Sequence, residues 1–279
     1  MRNITTKKIE LFRDYLINEE KAQATIKKYL HDIYKLQRWI GEQELSKSMI
    51  LDYKAFLCKH YACTSVNSSL SSLNKFFNFM EWYDLRVKAL KIQKQIFAST
   101  EKELKKSEYE RLLYMAKQKK NKRLYLLMQT ICSTGIRVSE VQYITVESAF
   151  RGVSEICCKG KHRIVFLPKQ LCKMLKQYIK DQKIKSGSVF ITKYGNPLDR
   201  SNIWSEMKKL SKEANVTVDK VFPHNLRHLF ARTYYSLQKD IVRLADILGH
   251  TSVNTTRIYT METGEIHRRQ IQMLGLLRC

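Results

Sequence analysis

The chain has 279 residues, and its 51 Lys and Arg against 26 Asp and Glu give a formal charge of +25 at pH 7. A field of that sign attracts polyanions and speeds their capture, so nucleic acid is the expected partner. A basic ribosome-associated or histone-like protein would carry a similar charge. A membrane-surface role is disfavoured, because the basic residues are spread along the whole chain and are not gathered on one amphipathic segment.

Composition excludes several other classes. With 44% hydrophobic residues, 9 Gly and 3 Pro, the chain is typical of a globular protein rich in long helices. It contains neither a signal peptide nor an apolar run of transmembrane length, which predicts a cytoplasmic protein. Seven cysteines without CxxC spacing indicate reduced core thiols, with no disulfide framework and no zinc site. No GxxxxGK or GxGxxG motif is present, so no nucleotide cofactor is expected.

Residues 1–83 are predicted to form a helical domain of four helices. Apolar side chains recur at steps of three and four in the second and fourth helices, with weaker series in the first and third. The two clear series are Ile26, Leu30, Ile33, Leu36 and Ile40, and Val66, Leu70, Leu73, Phe77 and Met80. Ser46 or Ser48 is expected to cap the third helix, and Thr64 or Ser65 the fourth.

The fourth helix also has a polar face with mostly small side chains. Its members are Asn67, Ser68, Ser71, Ser72 and Lys75. These side chains either face solvent or let a backbone or a phosphate come close. Residues 84–105 follow as a basic linker with little periodic apolar content, which is either a solvated connector or a tether able to cross the phosphate backbone of DNA.

Residues 106–279 are predicted to form a second domain that is mainly α with a small antiparallel β-sheet. Helices are expected near residues 107–117, 123–132, 169–183, 199–214, 223–237, 241–248, 252–259 and 265–277, with another short one opened by Arg137. Between Glu155 and Pro168, two β-rich runs flank the basic turn Lys159-Gly160-Lys161-His162-Arg163 and predict a hairpin.

Three segments of this domain carry the residue types of phosphoryl-transfer chemistry. They are Thr134-Gly135-Ile136-Arg137-Val138-Ser139-Glu140, Pro223-His224-Asn225-Leu226-Arg227-His228, and Leu248-Gly249-His250-Thr251-Ser252-Val253-Asn254-Thr255-Thr256-Arg257-Ile258-Tyr259-Thr260. A guanidinium grips phosphate oxygens through paired hydrogen bonds, so Arg137 and Arg227 can neutralise the charge that grows during in-line displacement without a metal. Together with the histidines and the tyrosine, these arginines suggest phosphoryl transfer on nucleic acid.

In order and spacing, the three segments resemble the conserved boxes of the tyrosine recombinase, or phage integrase, family, and in particular its Xer-like site-specific recombinases. The resemblance covers nearly the whole chain, because Ser65 to Met80 also resembles the last helix of the family's N-terminal core-binding domain. It implies a four-helix, SAM-like core-binding domain and an α+β catalytic domain. It also implies an enzyme of DNA recombination and integration, of the kind that mobile elements use, which cuts and rejoins duplex DNA without metal, ATP or cofactor.

The resemblance further implies a role for each residue of the site. Tyr259 would attack the scissile phosphate and leave a 3′-phosphotyrosine and a free 5′-hydroxyl. Arg137 and Arg227 would hold the non-bridging oxygens of that phosphate. His224 and His250 would hydrogen-bond the phosphate, and His224 would also accept the proton of the tyrosine.

Two assignments have alternatives. Lys159 would protonate the departing 5′-oxygen, but the turn is a residue shorter than the common family form, so Lys161 remains an alternative. His224 and His228 stand four apart on a predicted helix, a spacing that could bind zinc, yet no glutamate follows His224 as in HExxH and no third ligand is obvious. His228 is therefore interpreted as a supporting group, and Glu140 as a carboxylate that fixes the structure around the first arginine.

The expected partners follow from the same resemblance. Each protomer would grip one half-site of duplex DNA between its two domains, as a monomer or weak oligomer when free and as a homotetramer on two DNA sites during strand exchange. The tail Glu265–Leu277 would dock on a neighbouring protomer or pack on its own domain. Two other classes stay open, a type IB topoisomerase with related chemistry and a DNA-binding module that has lost catalysis.

Overall fold

The computed structural model describes residues 2–41, 43–92, 102–158, 161–260 and 271–274, without the side chains at positions 158 and 161. The chain divides into two compact units, Met1–Lys94 and Gln95–Cys279, and each has a hydrophobic core of its own. The division falls inside the segment predicted as a linker, whose middle part, 93–101, lies outside the described residues. Most of the predicted tail helix also lies outside them.

The first unit is helical, as the periodicity predicts. Its described residues form α1 (Thr6–Asn18), α2 (Gln23–Ile40), α3 (Lys47–His60) and α4 (Cys63–Phe79), followed by a 3-10 turn at Tyr83–Leu85. Every member of the two apolar series is buried except Leu30 and Met80, which are partly buried against the same core. The packing of these stripes is what stabilises helices of this length, because isolated helices are marginal in water.

One of the two predicted helix caps is wrong. Ser46 caps α3 as expected, because its hydroxyl accepts a hydrogen bond from the Met49 amide at 3.3 Å. Helix α4 begins at Cys63 after Ala62 and has no side-chain cap, so Thr64 lies inside the first turn. The first turn of α4 is exposed, and water can therefore satisfy the amides that a cap would otherwise bind.

The polar face of α4 is used within the chain. Asn67 donates to the Leu90 carbonyl at 2.9 Å and accepts from the Leu90 amide at 2.7 Å. Asn74, which was not among the residues predicted for this face, makes the same pair of hydrogen bonds with Val87, at 2.8 and 3.0 Å. A backbone does approach this face, as one interpretation allowed, and it belongs to the segment that follows α4.

Helix α3 holds the same segment from another side. Lys54 donates to the Lys88 carbonyl at 2.6 Å, and Lys47 donates to the Arg86 carbonyl. Residues 86–90, which we call the strap, are thus fixed by four side chains although they form no helix or strand. The first part of the predicted linker is therefore an ordered part of the N-terminal unit.

The second unit is mainly α-helical and has a small sheet, in agreement with the sequence prediction. Its described elements are α5 (Lys106–Gln118), α6 (Lys122–Thr134), a 3-10 helix (Val138–Tyr143), α7 (Val146–Arg151), β1 (Val153–Cys158), β2 (Lys161–Phe166), α8 (Lys169–Asp181), α9 (Arg200–Glu213), a 3-10 turn (Val218–Lys220), α10 (Pro223–Gln238), α11 (Ile241–Leu248), α12 (Val253–Thr256) and a 3-10 turn (Arg257–Tyr259). Nowhere in the described part of the chain is a helix both long and apolar enough to cross a bilayer.

The hairpin is confirmed, and its register corrects the predicted turn. Strands β1 and β2 pair antiparallel from Val153↔Phe166 to Cys158↔Lys161. His162 and Arg163, which the sequence prediction assigned to the turn, therefore lie in β2. Val165 is buried in the core while Phe166 is exposed, so this strand has one face toward the protein and one toward solvent.

Two further expectations need correction. Helix α7 was not predicted, because it has only six residues and is defined by a local capping arrangement, in which Thr145 and Ser148 bond each other's amides at 3.1 and 2.8 Å. The five cysteines whose side chains are described are free, but Cys58, Cys63 and Cys157 are exposed. These three are not core thiols.

The end of the predicted linker packs on the second unit. Leu104 is fully buried in its core, and the Leu104 carbonyl accepts a hydrogen bond from Arg232 at 3.0 Å. Asn225 donates to the Lys102 carbonyl at 2.8 Å. Both of these donors lie on α10, so residues 102–104 are anchored beside the helix that carries the second box.

Candidate active site

The site is built on the C-terminal end of α11. The helix ends because Gly249 takes the left-handed conformation, with φ at +63°, which a side chain would disfavour. The amides of Gly249 and His250 then close the last turn by donating back to helix carbonyls at 3.0 Å. The next three carbonyls, those of Ile247, Leu248 and Gly249, are left for other donors.

Three arginines from three different segments supply those donors. The contacts are Arg163 Nη1 to the Ile247 carbonyl at 2.6 Å, Arg227 Nη2 to the Leu248 carbonyl at 2.7 Å, and Arg137 Nη2 to the Gly249 carbonyl at 3.2 Å. The carbonyl end of a helix carries partial negative charge and stabilises cations. The end of α11 thus gathers three guanidinium groups that would otherwise repel one another, and we call Arg137, Arg163 and Arg227 the arginine cluster.

Glu140 adds one carboxylate to the arginine cluster. Its side chain is 4% exposed and accepts hydrogen bonds from the Arg137 amide at 2.8 Å, from Arg137 Nη1 at 2.9 Å and from Arg163 Nη2. Burial alone would raise the pKa of Glu140, but the Arg137 amide and the charge of Arg163 outweigh it and lower the pKa. Glu140 therefore stays ionised, and the cluster with its carboxylate keeps a net positive charge.

Arg227 is the largest fully buried side chain among the described residues, with 1% of it exposed. From α10 it donates Nη1 to the Gly135 carbonyl at 2.5 Å and Nη2 to His250 Nε2 at 2.9 Å, besides its contact with α11. Burial and the charge of Arg137 lower the pKa of Arg227 to about 10, while its interactions with Tyr259 act in the opposite direction. The guanidinium remains charged at neutral pH, and its terminal nitrogens are engaged inside the protein.

Gly135 explains how α10 comes this close to the first box. It ends α6 in the left-handed conformation with φ at +65°. A Cβ at this position would lie 2.4 Å from Cδ1 of Phe230 on α10 and 3.0 Å from Cδ2 of Leu248. Glycine is thus required both by the backbone and by the packing, and it brings its own carbonyl to Arg227.

His250 is neutral and its tautomer follows from its partners. Arg227 can only donate, so His250 Nε2 accepts, and the ring proton lies on Nδ1, which donates to Thr256 Oγ1 at 2.8 Å. Burial and the neighbouring charge of Arg227 lower the pKa of His250 to about 4. Thr256 is fully buried on α12, so the ring orientation is fixed from both sides.

Tyr259 lies between two of these histidines. Its ring centroid is 4.7 Å from that of His228 in an edge-to-face arrangement and 6.1 Å from that of His250 in a stacked one. The side chain is 4% exposed and packs with Leu244 and Leu248 in a small apolar cluster. Tyr259 is therefore adjacent to the arginine cluster but sheltered from solvent.

His224 and His228 lie one turn apart on α10. Their rings meet edge to face with centroids 4.5 Å apart, and His228 in turn contacts Tyr259. Burial first, then the positive charges of His224 and Arg227, lower the pKa of His228 to about 4. Desolvation and the charges of Arg227 and Arg137 also lower the pKa of His224. Within the described ranges no group of three Cys, His, Asp or Glu side chains stands close enough to hold a metal ion.

A cleft of about 610 Å³ opens beside the cluster. The residues that line it include Arg137, Glu140, His162, Arg163, Gly249 and His250. Arg227 and Tyr259 are not among the lining residues and lie behind His250. The cleft thus offers a cationic wall, with the buried arginine and the tyrosine directly behind it.

The structure brings together most of the site residues that the sequence analysis named. Arg137, Arg227, His250 and Tyr259 come together around the end of α11, and His224 joins them through His228. Lys159 lies outside the described residues, as does the side chain of its alternative Lys161. Sequence reasoning missed two residues of the site.

These two residues are Arg163 and Thr256. Arg163 follows the hairpin lysines in the family pattern, so the pattern itself contained the signal. Thr256 gives no such signal, because its role depends on a fold that brings its hydroxyl to the His250 ring.

Comparison with protein families decides the identity. Residues 102–265 match the phage integrase family, and residues 9–83 match the phage integrase N-terminal SAM-like domain. The chain belongs to the phage integrase family of tyrosine recombinases. The two matches cover the helical unit and the unit that contains the arginine cluster, so both units of this tyrosine recombinase are typical of the family.

Individual relatives agree with this assignment. The tyrosine recombinase XerA of Thermococcus kodakarensis is 30% identical over 273 residues, which cover 95% of this chain and 93% of that protein. The tyrosine recombinase XerD of Vibrio cholerae is 26% identical, with 90% of each chain covered. The crystal structure of XerA recombinase matches 99% of this chain and all of its own, with a TM-score of 0.54 and 26% identity.

A lambda integrase dimer bound to a COC′ core site, residues 75–356, matches with a TM-score of 0.74. The match covers 93% of this chain and 96% of that one, at 16% identity. At that identity the likeness shows the fold alone, which this recombinase shares.

Proposed function

We propose that this tyrosine recombinase cuts and rejoins duplex DNA at specific sites through a covalent 3′-phosphotyrosine on Tyr259, without metal, ATP or cofactor. The observation that carries the proposal is the convergence of Arg137, Arg227 and His250 on the end of α11, with the Tyr259 ring packed against His250. No other tyrosine of the described residues stands in contact with two histidines and a buried arginine at once.

The proposed chemistry balances within the site. The Tyr259 oxygen forms a bond to phosphorus while the bond from phosphorus to the 5′-oxygen breaks, so the energy of one ester is kept in another and rejoining needs no ATP. A free tyrosine ionises near pH 10, so its proton must be accepted in the transition state, for which His224 is the proposed acceptor. Lys159 is the proposed donor of a proton to the departing 5′-oxygen, with Lys161 as the alternative.

Binding of the phosphodiester would exchange contacts within the arginine cluster. Nη2 of Arg137 and both terminal nitrogens of Arg227 now donate to backbone carbonyls and to a neutral imidazole, which are uncharged acceptors, while Nη1 of Arg137 is bound to Glu140. A phosphate oxygen is anionic, and charge-assisted hydrogen bonds are roughly twice as strong as neutral ones. The substrate can therefore compete for these donors, and the arginine cluster can neutralise the negative charge of the phosphate.

The proposed partner is duplex DNA, which four protomers would bind on two sites during strand exchange. Structures exist of XerH bound to a difH substrate and of a lambda integrase tetramer bound to a Holliday junction. The formal charge of +25 on this chain fits a polyanionic partner. We infer that each protomer covers one half-site, and that the enzyme acts in the cytoplasm on the DNA that carries such sites.

The decisive experiment follows the covalent intermediate. A half-site, obtained by selecting bound duplexes from a random library, is nicked near the scissile position, incubated with the protein and resolved by denaturing electrophoresis. We expect a protein–DNA adduct with the wild type and none with Tyr259→Phe, although binding is retained. Tyr235→Phe is the matched control, since Tyr235 packs on the same apolar cluster and should leave the adduct unchanged.

Other outcomes would contradict the proposal. Specific binding without any adduct in the wild type would indicate a DNA-binding module. Relaxation of a supercoiled plasmid that lacks the selected site would indicate a topoisomerase.

A further inference from the structure

The third arginine of the cluster has no role in the proposed chemistry. Arg163 lies on β2, and its side chain is only 13% exposed. Its Nη1 donates to the Ile247 carbonyl at 2.6 Å, and its Nη2 donates to Glu140. Arg163 therefore connects three elements, namely the hairpin, the end of α11 and the 3-10 helix that follows Arg137.

No other described side chain of the hairpin forms a hydrogen bond with α11. Other side-chain hydrogen bonds attach β1 to Tyr143 and not to α11. Ser154, near the base of the hairpin, donates to the Tyr143 carbonyl at 2.7 Å, and the Tyr143 hydroxyl donates to the Cys157 carbonyl, near the turn, at 2.6 Å. Tyr143 therefore holds β1 near the turn, and among the described residues Arg163 alone connects β2 to α11 by a hydrogen bond.

The side chain of Arg163 packs directly against Gly249. A Cβ on Gly249 would lie 2.5 Å from Cδ and 3.1 Å from Nε of Arg163. The stem of Arg163 thus occupies the space that any larger residue at position 249 would need. This contact joins β2 to the glycine that ends α11, in addition to the two polar contacts.

Arg163 is less available to a phosphate than Arg137 is. Its Nη2 is held by the Glu140 carboxylate, a charged acceptor with which a phosphate competes less well than with the uncharged acceptors of Arg227. Its Nη1 donates to the Ile247 carbonyl, and its Nε is buried without a partner. Both arginines line the cleft, but the Arg137 side chain is 40% exposed and that of Arg163 only 13%. Its contacts therefore favour a contribution of Arg163 to the reaction through the groups that it holds.

We propose that Arg163 is a positioning residue, which fixes the hairpin against α11 and so sets the position of the lysine that protonates the 5′-oxygen. The proposal rests on the proposed function, because it assumes that Lys159 or Lys161 is that general acid. A planar guanidinium can serve Glu140 and Ile247 at the same time, whereas a single ammonium cannot span both acceptors. Loss of the guanidinium would leave phosphate binding by Arg137 in place and misplace the proton donor.

A substrate with sulfur in place of the bridging 5′-oxygen tests this inference. A thiolate departs without protonation, because thiols ionise near pH 8.5. For Arg163→Met we expect adduct formation on the ordinary nicked half-site to slow by roughly 10- to 100-fold. This is less than the full rate enhancement typical of a general acid, because the lysine is misplaced and not removed. On the sulfur substrate we expect a rate within about threefold of the wild type. Arg137→Ala is the contrasting variant and should be slow on both substrates.

Each other result would overturn the inference. Equal slowing of Arg163→Met on both substrates would mean that Arg163 acts through phosphate binding, and equal rates on both would mean that it has no role. Thermal melting and half-site binding report whether the variant folds. If Arg163→Met does not fold, Arg163→Lys keeps a charge beside Glu140 and should show the same selective rescue by sulfur.

The behaviour of the wild type on the two substrates separates this test from the test of the proposed function. Absence of an adduct with the wild type on both substrates would contradict the proposed function. An adduct with the wild type but no selective rescue of the variants would contradict only the role of Arg163.

Discussion

Replacement of Gly135 by alanine is expected to destabilise the catalytic unit more than the same change at a matched glycine. Gly135 and Gly152 both end a helix in the left-handed conformation, with φ at +65° and +77°. A Cβ at Gly152 would meet only Cys172 Sγ at 4.0 Å, an ordinary contact. A Cβ at Gly135 would lie between Phe230 at 2.4 Å and Leu248 at 3.0 Å. The pair of variants therefore separates backbone strain from overpacking.

The two costs can be assigned separately. The left-handed conformation costs an alanine about 1–2 kcal/mol, and the lower entropy of the unfolded chain returns about 0.4–1 kcal/mol of that. Gly152→Ala should therefore lose about 1 kcal/mol in the free energy of unfolding. Gly135→Ala adds about 1–3 kcal/mol of overpacking, because the Phe230 ring, which contacts Tyr234, must shift to admit the new Cβ.

Thermal unfolding of the two variants measures the difference. A unit of this size loses roughly 2–4 °C in Tm for each kcal/mol, so Gly135→Ala should melt roughly 2–12 °C below Gly152→Ala. Gly135→Ala should also slow adduct formation, since the Gly135 carbonyl accepts a hydrogen bond from Arg227 and a shift of the backbone would move that arginine. Equal losses of Tm in the two variants would refute the reasoning, because the contact with Phe230 would then contribute nothing.

Two further predictions concern protonation and the strap. Because the pKa values of His228 and His250 fall from 6.5 to about 4 on folding, the unfolded state binds more protons between these values, so the free energy of unfolding should decrease as the pH falls from about 6.5 to 4. Urea unfolding at several pH values should show a smaller decrease for His250→Gln, and parallel curves would contradict the assignment. In the N-terminal unit, Asn67→Ala or Asn74→Ala removes two hydrogen bonds, so amide exchange in the strap should accelerate by roughly 10-fold or more, as about 1–3 kcal/mol implies. Ser71→Ala, on the exposed side of the same helix, should leave that exchange unchanged.

The sequence predicted the helices well where packing and periodicity agree. The series in α2 and α4 identified buried faces because each places an apolar side chain on the same side of a helix every three or four residues. Helix α7 was missed because six residues are too few for a periodic signal. The polar face of α4 was ambiguous, since nothing in the sequence says that Asn67 and Asn74 bind the backbone of their own chain.

The site could be predicted in its residue types but not in its connections. The motifs that contain Arg137, Arg227, His250 and Tyr259 are recognisable because they resemble a family pattern. The partners that hold these residues are mostly backbone carbonyls, and any residue supplies a carbonyl. For the same reason, the position of Arg163 in the arginine cluster could not be inferred from residue types, because it depends on where α11 ends.

Contacts with main-chain atoms also determine which changes α11 can tolerate. Substitutions that preserve the helix and its glycine leave the main-chain oxygens of Ile247, Leu248 and Gly249 in place. The side chains on the solvent face of the helix can therefore vary without loss of these three contacts. Insertion or deletion of one residue is a different matter, because it turns the helix end by about 100° and points all three oxygens elsewhere. The length of this short helix, more than its composition, is what natural variants of the enzyme should preserve.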